Sequence, residues 1–132
     1  MKKDRKATPL ILWSLALLGL SVFSGGASAQ APFPFSDGFE SGVFGPEWTV
    51  NSDSNGRVEV TTSYLPTEGS YLVAMDCVVS GTYANNALDL AIDLTGQAGV
   101  ELTYWYKEFG DEDHPEDGCF VSDDGVNFHL VQ

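Results

Sequence analysis

Strict alternation of apolar and polar residues is the feature that most limits how this chain can fold. In the segment 87–94 every second residue is a leucine or isoleucine, namely Leu88, Leu90, Ile92 and Leu94. Because successive residues of a β-strand point to opposite faces of a sheet, this spacing predicts a strand with one buried face and one solvated face. The segment 99–109 repeats the pattern and places Trp105 on the face left open to solvent.

Similar short segments recur along the chain, separated by Gly, Asp, Asn, Ser and Pro. The predicted strands are 36–41, 47–51, 57–62, 70–76, 87–94, 99–109, 119–122 and 127–131. Asn55-Gly56 and Asp124-Gly125 are predicted hairpin turns, because these residues tolerate the positive φ that such turns require. Short strands with turns between them predict an all-β fold, an antiparallel β-sandwich of jelly-roll or immunoglobulin type.

The first 29 residues have the composition of a secretory signal. A basic stretch at 2–6 precedes an apolar run of 14 residues at 10–23, and Ala27-Ser28-Ala29 supplies the small residues of a cleavage site. A membrane-spanning helix needs about 20 apolar residues, so the length favours a cleaved signal helix over an uncleaved anchor. The predicted organisation is a signal at 1–29, a lead-in linker at 30–35 and a β-sandwich domain at 36–132. The predicted location is secreted or on the cell surface.

Removal of the signal would leave a strongly acidic chain. Arg57 and Lys107 would face 18 acidic residues, for a formal charge of −16. Such a field repels nucleic acid and anionic membrane surfaces, so neither is an expected partner. Cations, basic proteins and neutral sugars remain candidates, and solubility alone would explain the charge equally well.

Two cysteines, Cys77 and Cys119, lie in the exported part. In an oxidising compartment such a pair favours one disulfide, which would close a loop of about 40 residues and contribute about 3–4 kcal/mol. A Cys/His metal site is disfavoured because His114 and His129 have no compact ligand spacing relative to the cysteines.

The stretch Asp37-Gly38-Phe39-Glu40-Ser41-Gly42, followed by Trp48, resembles the opening of MAM and concanavalin A-like jelly-roll domains of bacterial exported proteins. Similar stretches continue through 69–72, 88–94, 102–107 and 117–125. The resemblance implies a jelly roll used for adhesion or carbohydrate-associated binding, with structural cations near Asp37 and Glu40. Unlike MAM domains, the chain has only two cysteines. Domains of this class usually run longer, so the resemblance also implies part of a larger protein that lacks its last strands here.

An acidic run at 108–117 holds six carboxylates. Crowded carboxylates repel one another, and Ca²⁺ relieves this repulsion with about six to eight oxygen ligands. The predicted ligands in this run are Asp111, Asp113 and Asp117, in addition to the two residues implied by the resemblance. A solvated acidic loop is the alternative explanation.

Enzymatic activity is the less favoured interpretation. Concanavalin A-like folds include glycoside hydrolases, but the nearest match, 108–113, lacks the apolar residues that raise the pKa of a catalytic acid. Nucleophilic triads and phosphate loops are also absent, so no catalytic residue is predicted.

Exposed aromatic rings are the remaining functional signal, because flat rings bind sugars over a large area at low entropy cost. Trp105, Tyr64 and Tyr83 are the predicted ligand-binding residues, with core packing as the alternative. The sequence therefore predicts a non-catalytic binding or adhesion module, with a structural calcium and an extracellular glycan or surface protein as its partner.

Overall fold

The computed structural model describes residues 29–108 and 117–132, together with the backbone of 4–6 and 10–12. Every regular element among these residues is a strand. The strands are β1 (Asp4–Lys6), β2 (Leu10–Leu12), β3 (Trp48–Ser52), β4 (Gly56–Thr61), β5 (Leu72–Cys77), β6 (Asn86–Leu90), β7 (Val100–Leu102), β8 (Trp105–Lys107), β9 (Phe120–Val121) and β10 (His129–Leu130). They form five two-stranded antiparallel sheets. The all-β prediction is confirmed, whereas the sandwich and jelly-roll arrangement stays a prediction.

The chain divides into two compact units. The middle unit is Leu15–Gly96, and the terminal unit combines Met1–Ser14 with Gln97–Gln132. The boundaries predicted at residues 29 and 35 stay predictions. The described part of the chain contains no helix that is long and apolar enough to cross a membrane.

A bent antiparallel ribbon forms the middle unit. β3 pairs with β6 and β4 pairs with β5, so one arm is β3–β4 and the other is β5–β6. Backbone hydrogen bonds continue to the bend, where Asp53 N donates to Asn85 O (3.1 Å) and Val78 N donates to Asn55 O (2.8 Å). Residues 53–55 on one arm therefore face the longer connection 78–85 on the other.

The hairpin predicted at Asn55-Gly56 is wrong. β3 and β4 pair with β6 and β5 rather than with each other, and neither turn residue has a positive φ. The carboxylate of Asp53 holds this corner instead, accepting the backbone N–H groups of Asn55 (2.8 Å), Gly56 (2.9 Å) and Asn85 (2.8 Å). The amides of Asn85 and Asn55 are the main reasons that the pKa of Asp53 lies below its ordinary value.

The middle unit contains a half-buried aromatic cluster around Trp48 at the start of β3, whereas its described buried hydrophobic residues are Ala31 and Ala74. The rings of Phe35 and Phe39 lie 6.0 Å and 5.3 Å from that of Trp48, and Phe44 lies 6.0 Å from Phe39. Each such pair contributes about 0.5–1.5 kcal/mol beyond its buried area. The strand predicted at 36–41 is absent, because the chain turns at Phe39, which has a φ of 60°. The turn places the Phe39 ring against Trp48.

The predicted strand 87–94 is shorter than expected. Its regular part is β6, and Ile92 makes an isolated parallel bridge with Ala31 instead. The backbone N–H of Ala31 donates to Ala91 O (2.8 Å), and its carbonyl accepts from Asp93 N (3.0 Å). Ala31 is only 2% exposed. The lead-in linker predicted at 30–35 thus contributes a buried residue to the middle unit.

In the terminal unit the predicted strand 99–109 is divided into β7 and β8. β7 pairs with β2, β8 pairs with β1, and β9 pairs with β10. Exposure alternates as the sequence predicts, with Val100 at 7% and Trp105 at 47%. Asp124-Gly125 lies between the paired strands β9 and β10 as predicted, and Gly125 has a φ of 70°, but the connection spans 122–128 and is longer than a two-residue turn.

The signal helix is not confirmed. The described residues of that segment, in β1 and β2, are extended and lie antiparallel to β8 and β7. Trp105 stands opposite Lys6 in this register, and Val100 stands opposite Leu12.

Candidate functional site

Trp105 is the most exposed tryptophan of the described chain, and β8 determines its orientation. Strand alternation places Thr103 and Lys107 on its face and Tyr104 and Tyr106 on the opposite one. The two tyrosine rings contact each other at 5.9 Å, so the opposite face is the more covered one. Desolvation, together with the neighbouring Cys119 thiol, raises the pKa of Tyr104 to about 12. The arrangement presents one large flat ring to solvent above a packed aromatic pair.

Tyr64 lies beside an ion pair on the β4–β5 sheet. Arg57 and Asp76 are register partners, and the guanidinium binds the carboxylate through two bonds of 2.8 Å and 2.6 Å. The Tyr64 hydroxyl lies 3.5 Å from the same carboxylate. The guanidinium hydrogen bonds lower the pKa of Asp76, and the carboxylate raises that of Arg57. Exposed pairs of this kind contribute little to stability because water screens them, so this pair is best described as a set of polar groups next to Tyr64.

Tyr83 lies in the connection between β5 and β6 and is 49% exposed. Its carbonyl accepts a hydrogen bond of 3.1 Å from the Asn55 side chain, which ties this connection to the opposite arm of the ribbon. Tyr64 and Tyr83 belong to the middle unit and Trp105 to the terminal unit, so the predicted binding residues occupy separate units.

Asp37, predicted as a calcium ligand, holds the aromatic cluster. One carboxylate oxygen accepts the backbone N–H of Phe39 at 2.7 Å, and the other accepts the indole N–H of Trp48 at 2.9 Å. The first bond stabilises the left-handed conformation of Phe39, which a bulky residue rarely adopts. The second gives a half-buried indole its partner. Sequence reasoning missed this role, although the short spacing of Asp37, Phe39 and Trp48 was visible.

Glu40, the other calcium ligand implied by the resemblance, binds the backbone before β5. Its carboxylate accepts the N–H groups of Ser70 (3.0 Å) and Tyr71 (3.1 Å). Gly69 has a φ of +68° and approaches this carboxylate so closely that a Cβ would collide with it. The acidic opening motif therefore ties two distant segments of the middle unit together.

The acidic run is described only at its ends. Asp111 and Asp113 fall outside the described residues, while Asp117 and Glu108 are exposed. Within the described ranges no group of three or more His, Cys, Asp or Glu residues lies close enough to hold a metal ion. Calcium binding stays a prediction.

Cys77 and Cys119 are free thiols in the structure, which does not support the predicted disulfide. Each thiol has a local interaction within its own unit. Cys77 Sγ donates to the carbonyl of Thr82 at 2.8 Å, and Cys119 interacts with Tyr104. Burial raises the pKa of Cys119, so at neutral pH it is a thiol rather than a reactive thiolate.

No family model, curated protein or solved structure matches this chain. The resemblance to MAM and concanavalin A-like domains therefore stays a prediction, and the function is inferred from the residues themselves.

Proposed function

We propose that the protein is a non-catalytic, exported binding or adhesion module that recognises neutral carbohydrate on a glycan or glycosylated surface protein. The observation that carries the proposal is Trp105, whose ring is 47% exposed on β8. A large exposed ring leaves apolar area in contact with water, and stacking a sugar on it removes that area at low entropy cost.

The charge of the exported chain supports neutral rather than acidic sugars. With 18 acids against two bases after signal removal, sulfated or uronic-acid glycans meet an unfavourable field. Tyr64 beside the Arg57–Asp76 pair is a second candidate contact, because an aromatic ring next to fixed hydrogen-bonding groups suits the mixed surface of a sugar.

A structural calcium ion held by Asp111, Asp113 and Asp117 belongs to the same proposal. Carboxylate crowding in the acidic run supports it, since bound Ca²⁺ relieves the mutual repulsion. The ion would organise the run following β8 and would take no part in chemistry.

A glycan array probed with the exported protein tests the function. We expect binding to neutral glycans and weak binding to sulfated ones. Trp105→Ala should weaken binding at least about tenfold, equivalent to about 1.4 kcal/mol. The matched control is Phe128→Ala, which removes another exposed ring of the terminal unit, 51% exposed, and should leave binding unchanged.

Three results would contradict the proposal. They are undiminished binding by Trp105→Ala, equal losses in both variants, and preference for sulfated glycans. Release of reducing sugar during the same incubation would favour the hydrolase alternative instead. Equal thermal midpoints of the two variants ensure that lost binding reflects the ring and not unfolding.

A further inference from the structure

The sheet partner of β7 comes from the segment predicted to be removed on export. β7 forms a two-stranded sheet with β2, in which Val100, Glu101 and Leu102 stand opposite Leu12, Ile11 and Leu10. β1 continues along β8 in the same antiparallel sense. The leader therefore supplies the described strand pairing of both elements.

Signal removal at Ala29 would take β2 away from β7. A strand edge without a partner presents unpaired N–H and C=O groups, which readily bind another extended chain. A lone strand is also unstable, because a regular strand needs a neighbour to satisfy its backbone. Val100, which stands opposite Leu12, is only 7% exposed in the intact chain, so this position of β7 is apolar and covered while β2 is present.

We propose that the edge of β7 is a strand-acceptor site in the exported protein, and that its ligand is an extended, basic and apolar segment of a partner protein. The leader residues show which kind of segment this edge accepts. The proposal rests on the export included in the proposed function, but not on sugar binding. Main-chain hydrogen bonds would supply affinity and alternate side-chain positions would supply selectivity, as in other cases of strand addition.

The register specifies the chemistry of the ligand. Directly opposed residues of an antiparallel pair share a face of the sheet, so Val100 and Leu102 favour apolar residues two positions apart in the ligand. Glu101 between them is exposed, and the exported chain carries a formal charge of −16, so basic flanks are favoured. The same charge disfavours a second copy of this chain.

A peptide with the sequence of residues 2–12 is the probe, because it contains both leader strands and four basic residues. The exported protein is first identified by N-terminal sequencing, and amide hydrogen exchange is then measured with and without the peptide. At a peptide concentration about 100 times its Kd, the edge amides of β7 should exchange about 100-fold more slowly. Amides of the β9–β10 hairpin are the internal control and should not change.

Two altered peptides test the mechanism. Ile11→Pro with Leu12→Pro removes main-chain donors without changing the charge, and should abolish protection. Replacing the four basic residues with glutamate should weaken binding at least about tenfold, by reversing the attraction to the acidic chain.

Several outcomes would overturn the proposal. One is slow exchange of the β7 amides before any peptide is added, and another is equal protection by the double-proline peptide. Retention of Met1–Leu12 in the exported protein would also overturn it, since the edge would stay occupied. If the exported chain is unfolded alone, folding on peptide addition supports the site and failure to fold refutes it. Loss of glycan binding in Trp105→Ala is a separate readout, so the two proposals can fail independently.

Discussion

Replacing Asp37 with alanine tests whether the acidic opening motif stabilises the fold through hydrogen bonds or through a cation. The substitution removes the acceptor for Phe39 N (2.7 Å) and for Trp48 Nε1 (2.9 Å), both of which are partly buried. It leaves a half-buried indole donor without a partner and leaves the left-handed backbone of Phe39 without its support.

The expected cost follows from these two bonds. A hydrogen bond to a charged group contributes about 1.5–3 kcal/mol, and partial exposure places both bonds near the lower limit. Asp37→Ala should therefore lower the free energy of unfolding by about 2–3 kcal/mol. For a domain of about 100 residues this corresponds to a fall in Tm of about 10–20 °C.

Thermal and urea unfolding in EDTA provide the measurement, because chelation removes any contribution from calcium. Asp89→Ala is the matched control, since Asp89 accepts one exposed bond of 2.6 Å from Asn51. It should change stability by no more than about 0.5 kcal/mol. In a Trp48→Phe background, which lacks the indole donor, Asp37→Ala should cost about 1 kcal/mol less.

The reasoning is refuted if Asp37→Ala costs no more than Asp89→Ala in EDTA, or if the cost is independent of the residue at position 48. A cost that appears only when Ca²⁺ is added would assign Asp37 to a metal site instead.

Three further predictions concern acid stability, backbone conformation and calcium. Four hydrogen bonds, two from Asn127 and one each from Val126 and Ser122, hold the pKa of Asp124 far below its ordinary value. The ionised carboxylate therefore stabilises the fold fully above about pH 4, and this stabilisation is lost as the pH falls further. Asp124→Asn should flatten the fall in urea midpoint between about pH 4 and pH 2, and an unchanged slope would contradict this. Gly69→Ala should lower the Tm more than Gly96→Ala. Both glycines have positive φ, but only at position 69 would the added Cβ collide with a side chain, the carboxylate of Glu40. Equal Tm shifts would contradict this prediction. Millimolar Ca²⁺ should raise the thermal midpoint of the protein more than millimolar Mg²⁺ does, and equal midpoints would count against calcium binding.

The positions of the strands could be predicted from the sequence better than the pairing between strands. Alternation in 57–62 and 70–76 is local, and β4 and β5 lie within one or two residues of those predictions. Pairing depends on contacts between distant segments, which no local pattern encodes. Asn55-Gly56 has a common hairpin composition, yet three bonds to Asp53 form a corner between two pairs of strands.

The roles of the acidic residues show the same limit. The resemblance to MAM and concanavalin A-like domains implied that a structural cation lies near Asp37 and Glu40. In the structure, Asp37 accepts a hydrogen bond from the Trp48 indole, and Glu40 accepts hydrogen bonds from the backbone N–H groups of Ser70 and Tyr71. These donors become neighbours only when the ribbon folds, so the chemistry of the carboxylates cannot be read from their spacing.

By itself, the sequence determined the strand class of the chain, the alternation from Val100 to Trp105 and the turn at Gly125, because each depends on neighbouring residues and on intrinsic backbone preference. Only the tertiary structure decided that β3 pairs with β6, that Asp37 supports the aromatic cluster and that both thiols have local interactions. The physical reason is that hydrogen-bond partners and burial are properties of surfaces brought together by folding, and many pairings satisfy the same local pattern.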